Sequence, residues 1–211
     1  MHMDFRRPFT LITPTLDGDV LATLAAADVE FSGRELARRA GHGSTEGIRR
    51  AADRLAGQGL VLRRAAGGAH LYRLNREHIA AGWIEGIASL PEQVITRLRA
   101  LVASWEEAAS LAFLFGSVAR REASFDSDLD ILIVRRVDCD ADSPAWRSQL
   151  LALQQTATDL TGNDARVLEI SEQEVGEGVA ESVLRDVLRD GVPLVGSRSV
   201  LLRLVEAGAE G

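Results

Sequence analysis

The residues best suited to chemistry are two aspartates, Asp128 and Asp130, at the start of an apolar run that ends at Val134. In an extended strand, side chains two positions apart share a face and lie about 6.5–7 Å apart along it. The pattern therefore predicts a strand with one acidic and one apolar face. Two carboxylates on one face repel each other, and a hard divalent cation bound by both relieves this repulsion. The pair is a candidate Mg²⁺ site.

A second apolar run, from Leu111 to Phe115, is followed by Gly116 and Ser117. We interpret it as a strand that turns into a helix. Such a turn exposes backbone amides, and the helix N-terminus behind them stabilises a phosphate. The two runs together predict a site that holds both a metal ion and a phosphate.

The segment that joins the two runs resembles the motif of the nucleotidyltransferase superfamily related to polymerase beta, particularly its small bacterial members. The resemblance covers about residues 92 to 196. Arg121 stands where the family commonly has glycine. The residues that fit the motif are Gly116, Ser117, Ala119, Arg120, Glu122, Ala123, Asp126, Ser127, Asp128, Leu129 and Asp130.

This resemblance implies a mixed sheet flanked by helices. It also implies a Mg²⁺-dependent enzyme that moves a nucleotidyl group from a nucleoside triphosphate to a hydroxyl acceptor, with pyrophosphate leaving. In that reaction Asp128 and Asp130 are implied to be catalytic and to coordinate the metal, while Gly116, Ser117 and Arg120 bind the nucleotide.

A third carboxylate normally lies on a later strand in this family. We predict that strand at residues 165–170, where Glu169 is the acid that faces the site if Leu168 and Ile170 face the core. The same strand can also be aligned with Arg166 in the acidic position, which leaves no third ligand. The first alignment predicts an enzyme with Glu169 in its mechanism. The second predicts a regulator or antitoxin-type protein whose transferase-like domain binds nucleotide or a partner without turnover.

Residues 15–76 carry the pattern of three helices followed by a hairpin. Apolar residues recur at helical spacing in the first helix. Ser32 and Glu35 have the capping-box spacing that begins the second helix, and Ser44 caps the third. Two apolar runs on either side of Gly67 and its neighbouring glycine then predict a hairpin. This element order resembles the winged helix-turn-helix family of many bacterial transcription regulators.

In that family the third helix enters the major groove of DNA, and the wing contacts the backbone or the minor groove. The charge distribution agrees with such a role, because residues 1–80 carry 12 arginines against 9 acids, whereas the remainder has a net charge of −10. The alternative is a solvated arginine face on a module that mediates protein contact or dimerisation. The resemblance implies contacts to double-stranded DNA from Ser44, Thr45, Arg49, Arg50, Arg63 and Arg64.

Composition limits the remaining possibilities. The chain has 211 residues, of which 46% are hydrophobic and 26% charged, as in ordinary globular proteins. No apolar run reaches the roughly 18 residues that cross a bilayer, and the N-terminus lacks the features of a secretory signal. We therefore expect a cytoplasmic protein without membrane contact.

We expect an α+β protein with a winged helix-turn-helix at residues 1–80, a linker at 81–90 and a nucleotidyltransferase-like domain at 91–211. The expected ligands are a nucleoside triphosphate with Mg²⁺ and double-stranded DNA. A homodimer and a helical partner protein remain alternative assemblies, since small members of the superfamily often work beside such a partner.

Overall fold

The computed structural model describes residues 2–120 and 127–209. The chain divides into two compact units, which we call the N-terminal unit, residues 7–91, and the C-terminal unit, residues 1–6 together with 92–211. Each unit has its own β-sheet, and the described chain is an α+β structure. Within the described residues, no helix combines the length and apolar character that a membrane span requires.

The N-terminal unit begins with a short 3₁₀ helix and contains a three-stranded antiparallel sheet in the order β1-β3-β2. Its second and third helices begin as predicted, because Ser32 Oγ accepts a hydrogen bond from the Glu35 amide and Ser44 Oγ accepts one from the Gly47 amide. The elements are α1 (Leu16–Ala25), β1 (Phe31–Ser32), α2 (Gly33–Ala40), α3 (Thr45–Gly57), β2 (Val61–Ala66), β3 (Ala69–Leu74) and α4 (Ala81–Ala88).

The core of this unit forms where the three helices pack on the sheet. Leu24 of α1, Leu36 of α2 and Ile48 of α3 are completely buried, together with Tyr72 of β3. Leu24 and Ile48 lie on apolar stripes that the helical spacing of their segments predicts.

The segment 81–90, predicted above as a linker, contains helix α4. Ala81 and Ile84 are buried, and Ile84 belongs to the same apolar core as the preceding helices. The division between the two units falls after Pro91. The apolar side chains of α4 explain the difference, because a solvated linker would leave them exposed.

The C-terminal unit contains a four-stranded sheet in the order β6-β5-β4-β7, and the sheet is mixed, as the resemblance implies. Strand β4 is antiparallel to both β5 and β7, whereas β5 and β6 are parallel and are joined through helix α7. The elements are α5 (Leu90–Ala103), β4 (Leu111–Phe115), α6 (Gly116–Ala119), β5 (Leu129–Arg135), α7 (Pro144–Thr161), β6 (Ala165–Ser171), α8 (Glu172–Gly176), α9 (Glu181–Asp190), β7 (Val192–Val195) and α10 (Arg198–Ala209).

Strand β5 lies in the centre of this sheet and is buried on both faces over most of its length. Leu129, Ile131 and Ile133 point to one side, while Leu132 and Val134 point to the other, and all five are fully buried. The acidic face predicted for this strand is therefore confined to its beginning. That confinement places the aspartates at one edge of the sheet, beside the end of β4.

Candidate functional site

The pairing of β4 with β5 brings the two sequence motifs together. Phe115, the last residue of β4, is the register partner of Asp130. Gly116 and Ser117, which follow Phe115, therefore start helix α6 next to the aspartates. Asp128 and Asp130 are both half-buried, so their carboxylates are accessible to a ligand.

Gly116 is the point of closest approach between the two motifs. Its φ of +72° lies in the left-handed region, and a Cβ added there would come within 2.5 Å of Asp130 Oδ2. A residue with a side chain would be strained by its backbone and would also displace the carboxylate. Glycine is thus required by the geometry of the site.

The environment of Asp130 disfavours its charge. Burial raises the pKa of Asp130, and the neighbouring charge of Asp128 raises it further, while Arg166 and Arg120 act in the opposite direction. Removing a carboxylate from water and placing a second carboxylate beside it both destabilise the ionised form. The site therefore favours a ligand that brings positive charge.

Arg166 supplies part of that charge from the neighbouring strand. It is the register partner of Asp130 on β6, and its Nη1 lies 2.9 Å from Asp128 Oδ2. The Arg166 side chain is 68% exposed and the Asp128 side chain 33%. Of the two alignments left open by the sequence, the register places arginine opposite Asp130.

Glu169 does not join this group, so the expectation that it faces the aspartates is wrong. Its register partner is Ile133, which lies on the face of β5 opposite to Asp130. The Glu169 carboxylate instead accepts a hydrogen bond of 2.7 Å from Arg135 Nε. Side chains alternate along a strand, and an offset of three positions from Arg166 puts Glu169 on the other face of the sheet.

The loop before β6 fixes the segment that leads into Asp128. Asn163 is fully buried, and its Nδ2 donates a hydrogen bond of 2.9 Å to the Ser127 carbonyl oxygen. The Asn163 Oδ1 accepts from the amide of Met3, and the Leu129 amide donates to the Asp164 carbonyl oxygen. Sequence reasoning missed this anchor, because nothing in the local pattern links Asn163 to residue 127.

The other residues of the motif have separate positions. Ser117 is half-buried in α6, and Arg120 ends that helix, with its amide donating to the Gly116 carbonyl oxygen. Arg121, Glu122, Ala123 and Asp126 lie outside the described residues.

The donor set of the site fits a hard divalent cation. Carboxylate oxygens are the ligands that Mg²⁺ prefers, and Asp128, directly before β5, and Asp130, within it, supply them close enough to interact electrostatically. Within residues 2–120 and 127–209, however, no group of three or more His, Cys, Asp or Glu side chains is arranged to hold a metal. The two aspartates would hold the ion together with oxygens from a ligand or from water.

The predicted DNA-contacting residues of the N-terminal unit lie on α3 and on the β2–β3 hairpin. Ser44 is engaged as the cap of α3, while Thr45 is exposed at the start of that helix. Together with Arg34 and His70, Thr45 lines an open groove of 580 Å³. The structure therefore places Thr45 at a concave surface bordered by basic side chains.

Acidic side chains pair with all four candidate arginines. Glu46 accepts hydrogen bonds from Arg49 and Arg50, and Arg64 pairs with Glu30. Asp53 binds Arg49 and Arg63 through its two carboxylate oxygens. The surface is consequently less positive than the sequence suggests.

Asp53 also connects α3 to the core of the unit. Its Oδ1 accepts a hydrogen bond of 2.9 Å from the hydroxyl of Tyr72, whose ring is buried. Burial alone would raise the pKa of Asp53, but the hydrogen bonds from Tyr72 and Arg63 outweigh it and lower that pKa. Burial and the bond to Asp53 raise the pKa of Tyr72 to about 12. No local pattern in the sequence predicts this contact, since Asp53 and Tyr72 lie 19 positions apart.

Comparisons with known proteins give limited similarity. No protein-family model matches the chain, and no curated protein matches it. A crystal structure of a toxin-antitoxin with AMP-PNP is 18% identical and aligns over 56% of this chain and 84% of that one, with a TM-score of 0.39. A crystal structure of the toxin-antitoxin MntA-HepT is 14% identical over the same shares, with a TM-score of 0.38. Both scores are below 0.5, and the function is therefore inferred from the residues of this chain.

Proposed function

We propose that this chain is a DNA-binding regulator whose C-terminal unit binds a nucleotide without turnover. In this proposal, the C-terminal unit binds a nucleoside triphosphate together with Mg²⁺ at Asp128 and Asp130, and the N-terminal unit is a winged helix-turn-helix that binds double-stranded DNA. The observation that carries the proposal is the position of Arg166, which pairs with Asp128 and lies opposite Asp130, where the resemblance implies a third carboxylate in an active enzyme.

Nucleotide binding is supported by the carboxylates at the site and by the space that Gly116 leaves beside them. Asp128 and Asp130 offer oxygen ligands at the beginning of β5, and Gly116 leaves the carboxylate of Asp130 unobstructed. When bound there, Mg²⁺ would neutralise the aspartates and stabilise negative charge on the triphosphate oxygens. The backbone at Gly116 and Ser117, with Arg120 near Asp130, would hold the phosphates.

Binding without turnover is supported by the chemistry of Arg166. Transfer to a hydroxyl requires a group that accepts the hydroxyl proton. A guanidinium remains protonated at physiological pH and has no acceptor, so Arg166 cannot take that role. Glu169 is held by Arg135 on the other face of the sheet and cannot take it either.

The nucleotide proposal is tested by calorimetric titration of non-hydrolysable analogues of the four nucleoside triphosphates, with and without Mg²⁺. We expect Mg²⁺-dependent binding of at least one analogue by the wild type and its loss in Asp128→Asn/Asp130→Asn. The matched control is Asp140→Asn/Asp142→Asn, which removes the same charge at the same spacing from two exposed positions. Absence of binding to all four analogues, or equal loss in the control, would overturn the proposal.

DNA binding is supported by the exposed basic side chains on α3 and the hairpin. Exposed ion pairs contribute only about 0–1 kcal/mol each, so a DNA phosphate can replace Glu46 or Asp53 as the partner of an arginine at small cost. The groove beside Thr45 is also bordered by Arg34, which presents further positive charge to a nucleic acid.

The DNA proposal is tested by fluorescence anisotropy with labelled genomic duplex fragments at low salt. We expect Arg49→Ala/Arg50→Ala to weaken binding and to make the slope of log K against log salt less steep by about 2, since each phosphate contact contributes about 0.9. Arg185→Ala/Arg189→Ala, which removes two exposed, ion-paired arginines from α9, should leave binding unchanged. Failure of the wild type to bind any fragment would exclude this function.

Nucleotidyl transfer to a hydroxyl acceptor is the second candidate. It is favoured by the two intact aspartates at the beginning of β5 and by Gly116 beside Asp130. Its test is nucleotide-dependent release of pyrophosphate in the presence of candidate acceptors. Release by the wild type, its loss in Asp130→Asn and its retention in Glu169→Gln would establish transfer and show that Glu169 has no part in it.

A further inference from the structure

Arg166 is placed to interact with anything that binds the aspartates. It lies opposite Asp130 in the register of two parallel strands, and its guanidinium contacts an oxygen of Asp128 at 2.9 Å. A cation bound to that oxygen would lie next to Arg166 and be repelled by it. A phosphate brought in by the same cation would lie within reach of the guanidinium.

The ion pair between Arg166 and Asp128 can be broken easily, so that each side chain can take another partner. More than two thirds of the Arg166 side chain is exposed, and exposed ion pairs are weak. By contrast, Arg135, which pairs with Glu169 on the opposite face of the sheet, has a side chain that is only 15% exposed. Exchange of partners is therefore favoured at Arg166 and disfavoured at Arg135.

We propose that Arg166 is a displaceable internal counter-ion, which opposes the binding of a divalent cation alone and contacts the phosphates of a nucleotide that binds with the cation. The proposal rests on the proposed nucleotide function of the same site. Before binding, Arg166 neutralises one of the two aspartates. When a cation binds to the aspartates, Arg166 loses its partner, and its planar guanidinium can then donate two parallel hydrogen bonds to phosphate oxygens.

The charges at the site explain why Arg166 weakens the binding of a free cation but strengthens the binding of a cation–nucleotide complex. Asp128, Asp130 and Arg166 together carry one net negative charge, which attracts a divalent ion less strongly than two uncompensated aspartates would. With the divalent ion present, the same three residues and the ion carry one net positive charge, which attracts a polyphosphate. Arg166 thereby makes the site select the cation–nucleotide complex over the free cation.

The test compares Arg166→Ala with the wild type in two titrations of the full chain. Mn²⁺ alone is titrated by electron paramagnetic resonance, and we expect it to bind about five-fold more tightly to the variant, since an exposed ion pair no longer competes. A non-hydrolysable nucleoside triphosphate analogue with Mg²⁺ is titrated by calorimetry, and we expect it to bind about ten-fold more weakly, as for loss of a charge-assisted contact to phosphate.

Two further variants separate this role from a structural one. Arg166→Lys keeps the charge but not the fork, so it should restore the wild-type affinity for Mn²⁺ and only part of the affinity for the nucleotide complex. Arg147→Ala removes another exposed arginine, which lies on helix α7 and pairs with Asp142, and should change neither affinity.

The outcomes distinguish the two proposals. If the wild type binds no nucleotide analogue with Mg²⁺, the proposed nucleotide function fails. If the wild type binds it and Arg166→Ala changes both affinities in the same direction or in neither, the nucleotide function stands and the role of Arg166 is refuted.

Discussion

Replacement of Gly116 by alanine should destabilise the C-terminal unit and disrupt its ligand site. The left-handed backbone at this residue costs an L-amino acid about 1–2 kcal/mol. The added Cβ would also lie 2.5 Å from Asp130 Oδ2, and rotation of this half-buried carboxylate away from its preferred rotamer costs about 0.5–1.5 kcal/mol. The two effects together predict a loss of about 1.5–3.5 kcal/mol in the free energy of unfolding.

Gly178 provides a matched control in the same unit. Its φ of +74° imposes the same backbone strain, but a Cβ added there would meet nothing within 4 Å. Gly178→Ala should therefore cost only the backbone contribution, about 1–2 kcal/mol. The difference between the two variants measures the contact with the Asp130 carboxylate.

The assay is urea unfolding followed by tryptophan fluorescence, in which the buried Trp146 reports on the C-terminal unit. With m-values of about 1–3 kcal/mol/M, the loss of stability predicted for Gly116→Ala lowers the urea concentration at the midpoint of unfolding by about 1 M. Asp130→Ala in the Gly116→Ala background should recover the excess cost, because the clashing oxygen is gone. The reasoning is refuted if Gly116→Ala costs no more than Gly178→Ala, or if the excess persists without the Asp130 carboxylate.

Three further predictions concern single side chains. Burial and the charge of Asp128 raise the pKa of Asp130, so ionisation of this carboxyl destabilises the folded protein as the pH rises through that pKa. Asp130→Asn should therefore have a higher Tm than the wild type at pH 7. This difference in Tm should shrink as the pH falls toward about 4. Tyr72 is the single tyrosine of the chain, so the absorbance of tyrosinate reports its ionisation directly. We expect Tyr72 to ionise near pH 12 in the wild type and at lower pH in Asp53→Asn. Since the pKa is raised in the folded protein, the contribution of Tyr72 to stability should be lost between about pH 10 and 12. Ser44→Ala should reduce the free energy of unfolding by about 1 kcal/mol, measured by denaturant titration, because the variant lacks the acceptor of the Gly47 amide.

Local patterns in the sequence were sufficient for the elements that carry the candidate site. The apolar runs that become β4 and β5, and the spacing of Asp128 and Asp130, follow from the alternation of side chains along a strand. The caps at Ser32 and Ser44 follow from the hydrogen-bonding needs of a helix N-terminus. Each of these features depends on residues within a few positions of one another, and the structure confirms these elements and caps.

Helix α4 shows where the local pattern fell short. The short segment 81–90 has no strong cap or charge pattern, and it was predicted as a linker. Only the neighbouring core decides that Ile84 is buried. Likewise, the pairing of Arg64 with Glu30 joins residues 34 positions apart, which no sequence periodicity reports.

The sequence by itself determined that the C-terminal unit has a glycine turn after one strand and a second strand that begins at the two aspartates, because both features depend on backbone stereochemistry. It left open whether Glu169 or Arg166 completes that site. The tertiary structure decided the question through the register of β6 against β5, which places Arg166 opposite Asp130. A strand's own sequence fixes which residues share a face, but only its pairing and packing partners fix which of the two faces meets the site.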